Sequence, residues 1–74
     1  MIRIKLQNGG FVEITQKQID GWQRIYREID VESEVTEIAE LINNGMIKKR
    51  SEKGTLKYIN SCLNDINEVI YYGE

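Results

Sequence analysis

Residues 1–18 are MIRIKLQNGGFVEITQKQ. Apolar and polar residues alternate in two runs around the Asn-Gly-Gly of residues 8–10, which is typical of a β-hairpin. A three-residue loop pairs Leu6 with Val12 and keeps both strands apolar on the same face. The pattern therefore predicts a three-residue loop with a glycine in the left-handed conformation.

Three helical segments are predicted after the hairpin. Thr15 and Gln18 match a capping box that begins the first helix, and Asp30 caps the second. Asn43-Asn44-Gly45 ends the second helix. Ser51 caps the third helix, which Gly73 ends. The apolar residues that recur at helical spacing are Ile19, Trp22, Tyr26 and Ile29, then Val31, Val35, Ile38, Ala39 and Ile42, and finally Leu56, Ile59, Cys62, Leu63, Ile66, Val69 and Ile70.

The fold class predicted from these elements is α+β, with an N-terminal β-hairpin packed on a three-helix bundle (ββααα). An isolated hairpin is marginally stable in water, so its apolar face must pack on the helices. The length of 74 residues and the absence of linkers indicate one small domain over residues 1–74.

The composition favours a folded, soluble, cytoplasmic protein. The hydrophobic fraction is 41% and the charged fraction 30%, as in globular domains. The single Cys62 excludes an internal disulfide, which fits a reducing compartment. The N-terminus lacks the apolar run of a signal peptide, and no stretch is long enough to span a membrane.

The residue types needed for catalysis are scarce. The chain has no histidine and one cysteine, so histidine-based triads and structural zinc sites are excluded. No phosphate-binding glycine motif is present. We therefore expect no enzymatic activity, no bound metal and no cofactor. Cys62 and Trp22 lie on apolar helical stripes, which favours a structural role for both.

An acidic segment, residues 28–40, holds six acids and no basic residue. It is a candidate surface for binding a basic protein partner, although an ordinary solvated helix face has the same pattern. Aromatic residues near the C-terminus are favoured at interfaces, but they also pack at helix ends. The candidate protein-binding residues are Glu32, Glu34, Glu37, Glu40, Tyr71 and Tyr72.

A basic segment, residues 48–57, is the second candidate surface. Its cations at a loop–helix junction are placed to contact phosphates, and an aromatic residue one turn further on is available to stack on a base. A solubilising loop has the same composition. The candidate nucleic-acid-binding residues are Lys48, Lys49, Arg50, Lys53, Lys57 and Tyr58.

A series of short matches over about residues 19–63 resembles the C-terminal module of phage replication-initiation (replisome-organiser, DnaD-like) proteins. The matching residues are Trp22, Asp30-Val31-Glu32-Ser33-Glu34, Ala39-Glu40-Leu41, Asn43-Asn44, Lys48-Lys49-Arg50, Gly54 and Lys57-Tyr58-Ile59-Asn60. The chain departs from the family at Leu41 and Cys62, where the family has tryptophan, and at Gly45, where it has proline.

The resemblance implies a phage or mobile-element origin, a bacterial host cell and partners in nucleic-acid machinery. Because the sequence begins with Met1, we expect the module to be free-standing. Only Lys48, Lys49, Arg50 and Lys57 carry over from the family as nucleic-acid contacts.

These features are compatible with two functions. The first is a non-enzymatic protein that acts by protein–protein contact on nucleic-acid machinery, for example as an inhibitor of a host nuclease of the CRISPR type. The alternative is an accessory DNA- or RNA-binding module of phage replication that uses the basic segment. The net charge of −2 favours the first. Head-to-tail contact between the acidic and basic segments of two copies also allows a homodimer.

Overall fold

A computed structural model of the chain describes residues 1–72, and the side chains of residues 1–70. The predicted α+β architecture, a hairpin followed by three helices, is confirmed. Gly73, which was predicted to end the last helix, lies outside the described residues. The elements are β1 (Ile2–Lys5), β2 (Phe11–Ile14), α1 (Gln16–Ile25), α2 (Val31–Asn43) and α3 (Glu52–Tyr72).

The hairpin has the predicted three-residue loop, but the loop lies one residue earlier and comprises residues 7–9. The Leu6 amide donates to the Gly10 carbonyl over 2.8 Å, and Gly9 has the predicted left-handed conformation, with φ of 91°. The Asn8 side chain accepts from the Gly10 amide at 2.9 Å. This local bond holds the turn one residue earlier than alternation alone indicates.

The predicted pairing of Leu6 with Val12 is therefore wrong, because Val12 lies opposite Ile4. The register is shifted by two residues. Since side chains alternate between the faces of a strand with period two, this shift leaves the predicted apolar face unchanged. Ile4, Leu6, Val12 and Ile14 are all buried.

α1 begins as predicted and ends earlier than predicted. The Thr15 hydroxyl accepts from the Gln18 amide, and the Gln18 side chain accepts from the Thr15 amide, which completes the capping box. The helix ends at Ile25 because the Gln23 side chain organises the following turn: it donates to the Ile29 carbonyl at 2.7 Å and accepts from the Val31 amide at 3.1 Å. Ile29 is buried although it lies beyond the helix.

The predicted ends of α2 and the start of α3 are confirmed. Asp30 accepts from the Ser33 amide at the start of α2, and Gly45 follows its end with φ of 77°. Ser51 caps α3 by accepting from the Gly54 amide at 3.0 Å. A Cβ at Gly54 would lie 2.8 Å from the Ser51 hydroxyl, so a larger residue there would displace this hydroxyl.

One hydrophobic core joins the hairpin to the three helices. Asn43, at the end of α2, also holds the outer edge of β1: its side chain accepts from the Lys5 amide at 2.8 Å and donates to the Arg3 carbonyl at 3.2 Å. The buried core residues are Ile4, Leu6, Val12, Ile14, Ile19, Tyr26, Ile29, Val31, Val35, Ile38, Ala39, Ile42, Ile59 and Leu63.

Only part of the apolar stripe of α3 is buried. Ile59 and Leu63 are fully buried, whereas Val69 is 69% exposed and Ile70 is 46% exposed. Val69 and Ile70, which the sequence placed on this stripe, therefore do not lie in the core. With 21 residues, against 13 in α2, α3 is about 12 Å longer and extends past its neighbours. Nowhere in residues 1–72 does a helix have the length and apolarity needed to cross a bilayer.

Candidate functional site

A groove of about 520 Å³ lies between α2 and α3, and it is hereafter called the α2–α3 groove. Its residues come from α2, from α3 and from the segment between the two helices. Several are apolar residues that the fold leaves open to solvent: Leu41 is 42% exposed, and Ile47, Cys62 and Ile66 are half-buried. The apolar lining consists of Ile38, Leu41, Ile47, Tyr58, Cys62 and Ile66.

Four carboxylates also line the α2–α3 groove: Glu34, Glu37, Glu40 and Asp65. The three glutamates come from α2, where a spacing of three residues keeps them near one side of the helix. Asp65 comes from α3. No lysine or arginine is among the described lining residues. The groove therefore combines an apolar floor with a negatively charged rim.

Only three of the four acidic residues proposed for protein binding lie in the α2–α3 groove. Glu34, Glu37 and Glu40 line the α2–α3 groove, whereas Glu32 is exposed elsewhere on α2. Sequence reasoning missed Asp65, because the signal it used was a run of acids within one helix. The side chains of the other two proposed residues, Tyr71 and Tyr72, lie outside the described part of the chain.

Tyr58 lies at the point where the groove meets the basic segment. The Lys49 ammonium lies 4.1 Å from the centre of the Tyr58 ring, which is within cation–π distance. On the groove side, interaction with the Cys62 thiol raises the pKa of the Tyr58 phenol, and burial raises it further. Tyr58 is therefore uncharged at neutral pH and contributes a half-buried ring to the groove.

The basic segment is attached to the hairpin through its backbone. The Gln7 amide donates to the Lys49 carbonyl at 3.1 Å, and the Asn8 side chain donates to the Arg50 carbonyl at 2.8 Å. The Arg50 side chain donates to the Gln7 side chain over 3.4 Å. These bonds connect the loop of the hairpin to the residues that precede α3.

The six residues proposed for nucleic-acid binding consequently do not form one open surface. Lys49 and Tyr58 contact each other and are half-buried. Lys48, Arg50, Lys53 and Lys57 are exposed, and the last two lie one turn apart on α3. The basic segment thus presents part of its charge to solvent and uses the rest within the fold.

Trp22 and Cys62, for which the sequence favoured structural roles, are both partly buried. Trp22 packs, half-buried, against the core. Cys62 is a free thiol of intermediate exposure in the groove. Within residues 1–72, no three histidine, cysteine or acidic side chains are grouped so as to hold a metal ion.

The chain matches no protein-family model, no curated protein and no solved structure. The resemblance to phage replication-initiation proteins therefore stays a prediction based on the quoted residues.

Proposed function

We propose that this protein binds another protein through the α2–α3 groove and that the partner belongs to nucleic-acid machinery. One observation carries the proposal: the groove has an apolar floor, four carboxylates and no described basic side chain. Proteins that bind nucleic acids present lysine and arginine to phosphates. A groove of this charge is complementary to such a basic surface.

The apolar floor and the acidic rim have different roles in this proposal. Burial of Leu41, Ile47 and Ile66 supplies affinity, because apolar surface leaves water. The carboxylates speed up encounter with a basic partner and disfavour acidic ones. An apolar surface without the rim would be far less selective.

A partner held in this way has its basic surface covered by carboxylates. The proposed activity is therefore inhibition by occupancy, for example of a host nuclease of the CRISPR type, with no chemical step. This role suits a phage or mobile-element protein in the bacterial cytoplasm, which is the setting that the sequence resemblance implies.

The alternative is direct binding of DNA or RNA by the basic segment. One observation favours it: Lys53 and Lys57 are exposed on one face of α3, close in sequence to the exposed Lys48. The number of phosphate contacts available is small, so the binding would be weak and sensitive to salt. Lys49 contributes less than the sequence indicates, because its ammonium lies over the Tyr58 ring within the fold.

Affinity capture from host lysate, with and without nuclease treatment, tests the proposal against the alternative. The baits are the wild type and three triple charge reversals. The acid reversal replaces Glu34, Glu37 and Glu40 with lysine. Its matched control makes the same change in net charge at Asp20, Glu28 and Glu32, which are exposed and do not line the groove. The third variant replaces the exposed Lys48, Lys53 and Lys57 with glutamate.

We expect the same partner to be captured by the wild type and the matched control, with nuclease present, and to be lost with the acid reversal. Capture that survives the acid reversal contradicts the proposal. Loss of every partner on nuclease treatment, together with loss in the third variant, supports the alternative instead. Circular dichroism of all baits checks that each variant is folded.

A further inference from the structure

The walls of the α2–α3 groove limit the backbone conformation of whatever occupies it. Both walls are helices, whose amides and carbonyls already bond within the helix. An extended segment laid on the apolar floor would lose water from its own backbone groups without gaining partners, which is costly. A helix satisfies its own backbone and presents only side chains.

The apolar surface continues beyond the groove along α3. Ile66 lines the groove, and Val69 and Ile70 follow it at spacings of three and four residues, both exposed. These spacings place the three side chains on one face of the helix. The floor of the groove and the projecting half of α3 therefore form one apolar strip.

Charge complementarity identifies the chemistry of the occupant. Glu34, Glu37 and Glu40 border the strip on the α2 side and Asp65 borders it on the α3 side. A helix lying between them meets carboxylates on both flanks. Its own flanks must then carry lysine or arginine, and the face between them must be apolar.

We propose that the α2–α3 groove binds a short cationic amphipathic helix of the partner protein. This inference rests on the proposed function and specifies the partner's chemistry. From Tyr58 to Ile70 the strip spans 12 residue steps of α3, or about 18 Å, which a helix of about 12 residues covers. The apolar face of the bound helix packs on Leu41, Ile47 and Ile66, and its cations pair with the four carboxylates.

Designed peptides test the inference without knowledge of the natural partner. The probe is a fluorescein-labelled peptide of about 12 residues, made of leucine and lysine arranged with helical periodicity. A second peptide has the same composition in strict alternation, which favours an extended strand. A third keeps the helical pattern and replaces lysine with glutamate. Binding to the full-length protein is measured by fluorescence anisotropy.

Two matched variants locate the binding site. Glu37→Gln with Asp65→Asn removes one carboxylate from each flank of the groove. Glu28→Gln with Glu32→Gln removes the same charge from exposed positions outside it. Amide chemical shifts in an NMR titration with the helical cationic peptide identify the contact independently of the variants.

We expect the helical cationic peptide to bind at least about tenfold more tightly than either of the other peptides. The groove variant should weaken this binding about three- to tenfold, and the control variant should leave it unchanged. Equal binding of the helical and alternating peptides, or shift changes centred on residues 48–57, would overturn the inference.

Failure of the inference is distinguishable from failure of the proposed function. If capture of the natural partner requires Glu34, Glu37 and Glu40 while the peptides are not discriminated, the groove binds protein but not a cationic helix. If capture survives the acid reversal, the proposed function itself is wrong, whatever the peptides do.

Discussion

The acidic and basic segments look equivalent in the sequence, but the fold uses them differently. The basic segment is joined to the hairpin by the carbonyls of Lys49 and Arg50, and the Lys49 ammonium lies over the ring of Tyr58. In the acidic segment, Glu37 and Glu40 are exposed and border an open apolar groove.

A run of like charges can therefore take part in packing within the fold or border an open surface, and composition does not distinguish the two. In residues 48–50 the Lys49 ammonium packs on the Tyr58 ring, and the bonds to the hairpin come mainly from backbone carbonyls. In residues 34–40 the carboxylates border apolar surface that the fold leaves uncovered. The proposed division of labour is that the basic segment helps to hold the hairpin in place and the acidic segment binds the partner.

The largest expected effect is on binding and comes from the acidic side. Replacing Glu34, Glu37 and Glu40 with lysine turns attraction into repulsion for a basic partner and should weaken partner binding by a factor of about 100 or more. The free energy of unfolding should fall by less than about 1 kcal/mol, because two of the three side chains are exposed and the other is half-buried. Partner titration and urea unfolding provide the two values; a large stability loss with retained binding would reverse the proposed roles.

The next effect is on stability and comes from the hairpin loop. Asn8 donates to the Arg50 carbonyl at 2.8 Å and accepts from the Gly10 amide at 2.9 Å. Asn8→Ala removes both bonds and should lower the free energy of unfolding by about 1–2 kcal/mol, with partner binding unchanged. The control is Asn64→Ala, which loses one exposed hydrogen bond to the Glu68 side chain on the same helix. If urea unfolding shows the same loss of stability in both variants, the role given to Asn8 is contradicted.

A smaller effect separates two neighbouring lysines. Lys49 lies over the Tyr58 ring at 4.1 Å, whereas Lys48 is exposed. Lys49→Ala should cost about 0.5–1 kcal/mol of stability, and Lys48→Ala should stay within about 0.5 kcal/mol. Thermal unfolding at low and high salt measures both. If the two variants are equally stable, the basic segment is a solvated loop rather than a packed one.

The smallest effect is a pH dependence at Tyr58. Interaction with the Cys62 thiol, together with burial, raises the pKa of this phenol in the folded state. The unfolded phenol then ionises first, so this contribution is complete below about pH 10 and is lost as pH rises through the higher folded pKa. Tyr58→Phe should flatten the fall in stability above that pH, measured by urea unfolding of both proteins; parallel curves would contradict the raised pKa.

Local sequence signals predicted most of the fold. The capping residues Thr15, Asp30 and Ser51 begin helices because each bonds an amide within its own first turn. The hairpin's apolar face was also predicted, since it depends only on alternation. The predicted strand register differs from the observed one by two residues. The Asn8 side chain determines where the loop lies, and the alternation of apolar residues carries no information about that bond.

The candidate site was predicted only in part. Glu34, Glu37 and Glu40 were identified because they share one helix, but Asp65 was not, since its position beside them depends on how α3 packs on α2. The exposure of Val69 depends on the relative lengths of the helices. Packing between elements distant in the chain has no local sequence signal.

Protection of Cys62 in the purified complex tests the central claim most directly. Cys62 is the only cysteine of the chain and lies in the α2–α3 groove. Its alkylation by iodoacetamide is followed by mass spectrometry of the Cys62 peptide, in the free protein and in the nuclease-treated complex. A partner seated in the groove should strongly slow alkylation; an unchanged rate in a stable complex would contradict recognition through this groove.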